Sequence, residues 1–148
     1  MKSFGHKTDR NPPMQLSLFD APSFNTCKDQ KSTMNAAAKR CGLSREEIVD
    51  KMNDLASRYG VSLVSNGGLR MDTFEKWINP NDLSRQMPTR ALPIFCAVIN
   101  DHSALDILAR PLGARVIGDA DQRLLKWAKE YFKARDARKV MRQLETNL

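Results

Sequence analysis

The chain has 148 residues, of which 41% are hydrophobic, with seven glycines and seven prolines, as is typical of one globular domain with tails. This composition excludes fibrous and wholly disordered proteins, and no apolar run approaches the roughly 18 residues of a membrane span. The net charge of +7, with an isoelectric point near 9.6, favours acidic partners such as nucleic acid.

Residues 1–28 are predicted to form a flexible arm, because they contain three prolines and no sustained periodicity. Lys2 and Lys7 have no apolar segment behind them, so we expect no secretory signal and a cytoplasmic protein. Helical character begins near Asp29 and continues to Cys41. The three cysteines are odd in number and widely spaced, which indicates reduced thiols rather than a zinc site or a disulfide framework.

Residues 44–79 are predicted to form two helices joined by a glycine-containing loop, the unit by which many small bacterial and phage proteins present a helix to DNA. Ser44 is a natural N-cap, and Glu47 completes a capping box for a helix over 45–59. A second helix, over about 69–78, carries its apolar residues on one face: Met71, Phe74, Trp77 and Ile78.

The predicted DNA-binding residues are Arg70, Thr73, Lys76, Arg85 and Arg90. The first three fall largely on the polar face of the second helix, where they are expected to face the major groove of duplex DNA. Residues 44–83 carry a net charge of −2, whereas every other part of the chain is basic. We therefore expect Arg85, Arg90 and the flanking segments to supply the neutralisation of phosphates.

Two further helices complete a predicted all-α domain over residues 29–117. Pro88 suits the first turn of TRALPIFCAVI, which is apolar almost all round and is expected to be buried. Asp101 or Ser103 is a candidate cap for DHSALDILARPLG, whose predicted inward stripe is Leu105, Leu108 and Leu112. Five helices without a convincing strand partner favour a compact helical fold.

Residues 118–148 are predicted to form one long basic helix. Its apolar residues are expected near one side: Leu124, Leu125, Ala128, Tyr131, Phe132, Val140, Met141 and Leu144. This stripe is interrupted around KARDARK, so it is not a sustained heptad repeat. Three roles stay open for this helix: packing on the domain, forming a homodimer, and adding basic surface against DNA phosphates.

The sequence contains no pattern typical of catalysis. His6 and His102 are the two histidines, and neither has a spaced ligand set or a nucleophile beside it. Asn66-Gly67-Gly68 lacks the Gly-Lys-Ser/Thr context of a phosphate loop and indicates an ordinary turn. We therefore predict a protein that is not an enzyme and that has no cofactor and no metal site.

Several landmarks of residues 30–115 resemble a family of small helix-turn-helix proteins of Mu-like prophages, distantly similar to the CII-type phage regulators. They are Leu43-Ser44-Arg45-Glu46-Glu47, Trp77, Pro88, Leu92-Pro93, Phe95-Cys96, Asn100-Asp101 and the run of leucines ending at Gly113. The family usually has Thr-Gly in the acidic turn, where this chain has Val98-Ile99 before Asn100. The resemblance implies a lambda-repressor-like helical domain and a role in DNA binding or phage regulation.

A second resemblance lies in the arm, where Gln15, Leu16, Ser17, Leu18 and Phe19 read QLSLF. This pentapeptide looks like the motif by which replication and repair proteins dock on the bacterial sliding clamp. A glutamine amide offers directional hydrogen bonds, while the leucine and phenylalanine can fill an apolar pocket. The alternative is that these apolar residues staple the arm to the protein's own core.

Two functions follow from these patterns, and a third possibility is a purely structural interaction domain with a vestigial helix-turn-helix. The first is a phage-derived regulatory protein that contacts duplex DNA through its helix-turn-helix. The second is a non-enzymatic replication accessory or adaptor that docks on the sliding clamp through residues 15–19, which the acidic balance of residues 44–83 slightly favours.

Overall fold

The computed structural model describes residues 23–148, and in these residues every regular element is helical. The prediction of an all-α fold class is confirmed for these residues. The α-helices are α1 (Cys27–Arg40), α2 (Arg45–Arg58), α3 (Met71–Ile78), α4 (Leu92–Ile99), α5 (Ser103–Ala109) and α6 (Asp119–Thr146), with a short 3-10 turn at Arg110–Leu112.

Helices α1 to α5 share one hydrophobic core, in which α1 packs on α5 and α3 while α2 packs on α4 and α3. The rings of Phe74 in α3 and Phe95 in α4 lie at its centre, 6.1 Å apart between centroids. Burial of such large side chains is the main term that stabilises a small helical domain. The other large apolar side chains that are fully buried are Met34, Ile48, Met52 and Ile78.

The two ends of α2 lie where the capping box at Ser44 and the glycine at position 60 predict them. The Ser44 hydroxyl accepts a hydrogen bond from the Glu47 backbone N–H, and the Glu47 carboxylate accepts one from the Ser44 backbone N–H. The same bonds hold the pKa of Glu47 below its usual range. At the other end Gly60 adopts a φ of 66°, and the Val61 N–H bonds to the Ala56 carbonyl.

The predicted inward stripe of the fifth helix is wrong at two positions. Leu108 is 42% exposed and Leu112 is 76% exposed, whereas Ala104 and Ile107 are buried. Helix α5 ends at Ala109 and the chain tightens into a 3-10 turn, so the helical spacing that would align Leu112 with Leu105 is not maintained. The carboxylate of Asp101 accepts hydrogen bonds from the Ser103 N–H and hydroxyl, which organises the start of α5.

Lys31 is the one lysine whose side chain is fully buried in the described structure, on the inner face of α1 beside Met34. Its ammonium donates to three backbone carbonyls: Lys76 at 2.7 Å, Asp82 at 2.5 Å and Arg85 at 2.5 Å. A lysine ammonium has three N–H donors, and all three are used here. Burial lowers the pKa of Lys31, and the nearby Asp82 carboxylate partly opposes that shift.

A second buried charge, Asp106, fastens the segment that leads into α6. Its Oδ1 accepts from the Val116 backbone N–H and from Arg115 Nε, both at 3.0 Å, while Arg110 lies 3.6 Å from Oδ2. The backbone bond from Val116, together with the charges of Arg115 and Arg110, holds the pKa of Asp106 below its usual range. The connection between α5 and α6 therefore has a defined path along α5.

Helix α6 contains no buried residue in the described structure. Its apolar side chains do not share one side, so the prediction of a single stripe is wrong. At about 100° per residue, the apolar residues of its first half and those of its second half point roughly 150° apart. The first group is Leu124, Leu125, Trp127, Ala128, Tyr131 and Phe132, and the second is Ala134, Ala137, Val140, Met141 and Leu144. The break falls at KARDARK, where the sequence showed an interruption.

Replacing Lys31 with Met tests the role of its buried ammonium. Lys31→Met keeps the apolar stem but leaves three carbonyl oxygens without a donor, so the free energy of unfolding should fall by about 3 kcal/mol or more. Lys28→Met, at an exposed position of the same helix, should change it by less than about 0.5 kcal/mol. Urea titration followed by the fluorescence of buried Trp77 measures both values. Equal losses of stability in the two variants would contradict a stabilising role of the Lys31 ammonium.

Replacing Asp106 with Ala tests the attachment of the segment before α6. The Val116 amide loses its acceptor, so its hydrogen exchange should accelerate by roughly tenfold at neutral pH. Because the folded pKa of Asp106 is depressed, its stabilisation is present above the unfolded carboxyl pKa of about 3.9 and is lost as pH falls through the folded value. Asp72→Ala, an exposed carboxylate of α3, is the control and should leave Val116 exchange unchanged.

Candidate nucleic-acid interface

The connection between α2 and α3 is an ordered loop over residues 59–70, longer than the helix-turn-helix turn of about three or four residues. The side-chain amide of Asn53 pairs with the backbone of Leu69, donating to its carbonyl at 2.9 Å and accepting from its N–H at 2.7 Å. Gly68 lies so close to this amide that a Cβ would come within 3.2 Å of Asn53 Oδ1. The end of the loop is therefore fixed where α3 begins.

Arg90, just before α4, fastens the start of the same loop. Its Nε donates to the Ser62 carbonyl at 2.5 Å, and its Nη2 lies 3.5 Å from the Leu63 carbonyl. Buried Leu63 and Leu69 anchor the loop to the core at both ends. Between them, residues 65–68 are exposed.

These contacts create an open cleft of about 440 Å³ between the loop, α3 and residues 85–90. The half-buried Thr73 and the buried Trp77 of α3 contribute to its lining, together with residues of the loop and of the 85–90 segment. The lining residues are Leu63, Val64, Ser65, Asn66, Gly68, Arg70, Thr73, Trp77, Arg85, Gln86, Pro88 and Arg90.

The cleft is electropositive. Three arginines line it, and none of the described residues that line it is acidic. Arg70 has a loose ion pair with Asp72 at 3.8 Å, while the Arg85 side chain has no ion-pair partner within residues 23–148. Guanidinium groups, amides and a threonine hydroxyl are donors suited to phosphate oxygens.

One acidic residue of α3, Glu75, is compensated outside the cleft. Glu75 lies 3.4 Å from Arg45, whose guanidinium also donates to Asn35 at 2.6 Å. This arrangement joins α1, α2 and α3 and directs the Glu75 charge away from the residues that line the cleft. Asp72 is the other acidic residue of α3, and it lies 3.8 Å from Arg70, so the negative charge of α3 is only partly removed from the cleft.

Four of the five predicted DNA-binding residues, Arg70, Thr73, Arg85 and Arg90, line this single cleft. Lys76 does not line it: its side chain is exposed further round α3, and its carbonyl accepts from Lys31. The predicted clamp-binding residues 15–19 lie outside the described part of the chain.

Two residues that position the lining of the cleft were not among the residues predicted from the sequence. Lys31 orients the backbone at Arg85, and Asn53 orients the backbone just before Arg70. One signal was available for Lys31: with Met34 and Ala38 it follows the i, i+3, i+7 spacing of the buried face of α1. No local pattern identifies Asn53, because its partner is a backbone group in a distant loop.

Groups with catalytic or metal-binding chemistry do not cluster near the cleft. In residues 23–148 no three His, Cys, Asp or Glu side chains lie together in a way that could hold a metal ion. The three cysteines, all in the described part, are free, and burial raises the pKa of the Cys96 thiol to about 11. Such a thiol is an apolar core group rather than a nucleophile at neutral pH.

Comparison of the chain with protein-family models, with curated proteins and with solved structures finds no match in any of the three. Among the helices of residues 23–148, we find none with both the length and the hydrophobicity needed to cross a membrane.

Proposed function

We propose that the protein is a DNA-binding regulatory protein of phage type, whose cleft holds the phosphate backbone of duplex DNA. The observation that supports this proposal is the convergence of Arg70, Arg85 and Arg90 on one cleft without an acidic lining residue. Backbone amides and arginines that follow a phosphodiester strand supply most of the affinity of such complexes.

In this proposal α2, the loop and α3 act as a modified lambda-repressor-like helix-turn-helix. The long loop replaces the tight turn, and the phosphate-binding groups lie between the loop and α3. Lys76, on the outer side of α3, is then the group that reaches towards base edges. The resemblance to regulators of Mu-like prophages supports the regulatory part of the proposal.

The test is binding of the full chain to a fluorescent duplex of prophage control-region DNA, measured by anisotropy over a range of salt concentrations. Arg85→Ala should weaken binding by about tenfold and reduce the slope of log K against log salt by about one, because one phosphate contact is lost. Arg70→Ala should behave similarly. Arg90 is a poorer choice, since its side chain also holds the loop.

The matched control is Arg58→Ala, which removes an exposed arginine paired with Asp54 on α2, outside the cleft lining. It should leave both the affinity and the salt slope unchanged. The proposal fails if Arg85→Ala and Arg70→Ala bind like Arg58→Ala, or if the parent protein does not bind duplex DNA at low salt.

The alternative is an adaptor that docks on the bacterial sliding clamp through residues 15–19. The exposed acidic residues of α2, Glu46, Asp50 and Asp54, support it, because they form a surface that DNA would repel but a protein partner would tolerate.

The alternative is tested with a peptide of residues 11–24 titrated against the host clamp. The expected result is saturable binding that a known clamp ligand displaces and that Leu18→Ala with Phe19→Ala weakens by at least about tenfold, since the apolar anchors are lost. A matched peptide with Asn11→Ala should bind like the parent. No competable binding by the parent peptide would refute the docking role.

A further inference from the structure

The apolar face of the first half of α6 is uncovered. Leu124, Trp127 and Tyr131 are 61%, 62% and 52% exposed, and Leu125 and Phe132 are about half exposed at 48% and 49%. The aromatic rings are already arranged against one another, with Trp127 and Tyr131 stacked at 5.5 Å and Tyr131 edge-on to Phe132 at 5.8 Å. A contiguous apolar face of this kind on a monomer marks an interaction surface.

This face has an unusual internal symmetry. Leu124, Leu125, Ala128, Tyr131 and Phe132 are spaced so that Ala128 is the centre, with apolar residues three and four positions away on each side. Trp127 has no apolar counterpart, because Lys129 occupies the corresponding position. The spacing of the other five residues is the same towards both ends, so an antiparallel copy of the helix meets an apolar pattern that matches its own. The residue at the crossing point is small, which permits close approach of two backbones.

The charges at the two ends of the face have opposite signs. Asp121 lies seven residues before Ala128 and Arg135 lies seven residues after it, and both point towards the apolar side of α6. In an antiparallel pair centred on Ala128, Asp121 of one copy lies beside Arg135 of the other, twice. In a parallel pair, Asp121 would face Asp121 and Arg135 would face Arg135, which is unfavourable.

A shallow apolar groove lies at the N-terminal end of the same face. Its lining residues are Ile117, Asp121, Leu124, Leu125 and Ala128, and its volume is about 350 Å³. In the antiparallel register this groove lies opposite Tyr131 and Phe132 of the other copy. Arg135 lies 4.8 Å from the Phe132 ring centroid and pairs with Asp136 at 3.2 Å on its own helix. In the antiparallel register its guanidinium would also come close to Asp121 of the other copy.

We propose that the protein forms a two-fold symmetric dimer in which the first halves of two α6 helices pack antiparallel, crossing at Ala128. The partner is a second copy of this chain, because the apolar spacing and the charges complement themselves in that one orientation. An anionic lipid surface fits less well: charged residues at 121 and 135 limit the apolar block to residues 124–132, and one of them is acidic. The dimer does not depend on the cleft binding DNA.

The experiment is sedimentation equilibrium of the full chain and its variants over a wide concentration range, with circular dichroism to verify the helix. The parent should dimerise. Asp121→Arg and Arg135→Asp should each weaken the dimer by about tenfold, because two attractive pairs become repulsive. The double variant, Asp121→Arg with Arg135→Asp, should restore parental affinity. Lys126→Asp, a charge reversal on the opposite face, is the matched control and should have no effect.

Ala128→Glu provides a second test at the crossing point, where it would bring two carboxylates together in an apolar contact and should weaken the dimer by about a hundredfold. Failure of the double charge exchange to restore the dimer would overturn the antiparallel register. A parent chain that stays monomeric at every concentration would overturn the dimer itself, whether or not it sediments with anionic vesicles. The DNA affinity of Arg85→Ala tests the proposed function and does not bear on the dimer or on its register.

Discussion

The buried ammonium of Lys31 is the interaction on which the arrangement of this domain depends. Residues 79–91 form no helix of their own, yet they must cross from α3 to α4 along a defined path. Three hydrogen bonds from one side chain hold the end of α3 and two points of this crossing against α1. An uncharged side chain does not have three N–H donors, so it could not bond to all three carbonyls. The charge of Lys31 is tolerated in the core because all of its donors are used.

The same interaction connects the fold to the candidate site. Arg85 accepts from Lys31 through its backbone carbonyl, which leaves its guanidinium on the side of the cleft. Asn53 and Arg90 act similarly on the opposite wall, each by binding backbone groups of the loop. Side chains that lie outside helices are thereby placed by polar contacts to the main chain, which gives a loop-built site the rigidity that secondary structure would otherwise provide.

The bounds of the helices could be predicted from the sequence better than the side of each helix that is buried. The capping box at Ser44 and the glycine after α2 are local signals, so the limits of that helix followed from them. Of the predicted inward leucines, Leu112 is exposed because a 3-10 turn interrupts the spacing, and Leu108 is exposed because the buried face of α5 carries Ala104 and Ile107. The single stripe predicted for α6 was wrong because the two halves of the helix are out of phase. The cleft could not be derived, because its arginines are placed by tertiary bonds to backbone groups that are distant in sequence. Lys31 bonds to the Arg85 carbonyl, Asn53 bonds to the backbone before Arg70, and Arg90 bonds to the 59–70 loop.

The near-palindromic face of α6 has a consequence for the geometry of the nucleic acid that such an assembly would recognise. An antiparallel pair has a two-fold axis perpendicular to its helices, and that axis relates the remainder of one chain to that of the other. The two clefts would then be inverted copies of each other, rather than repeats in the same direction. A DNA site that filled both would have to be an inverted repeat, with its centre on the axis that passes through Ala128.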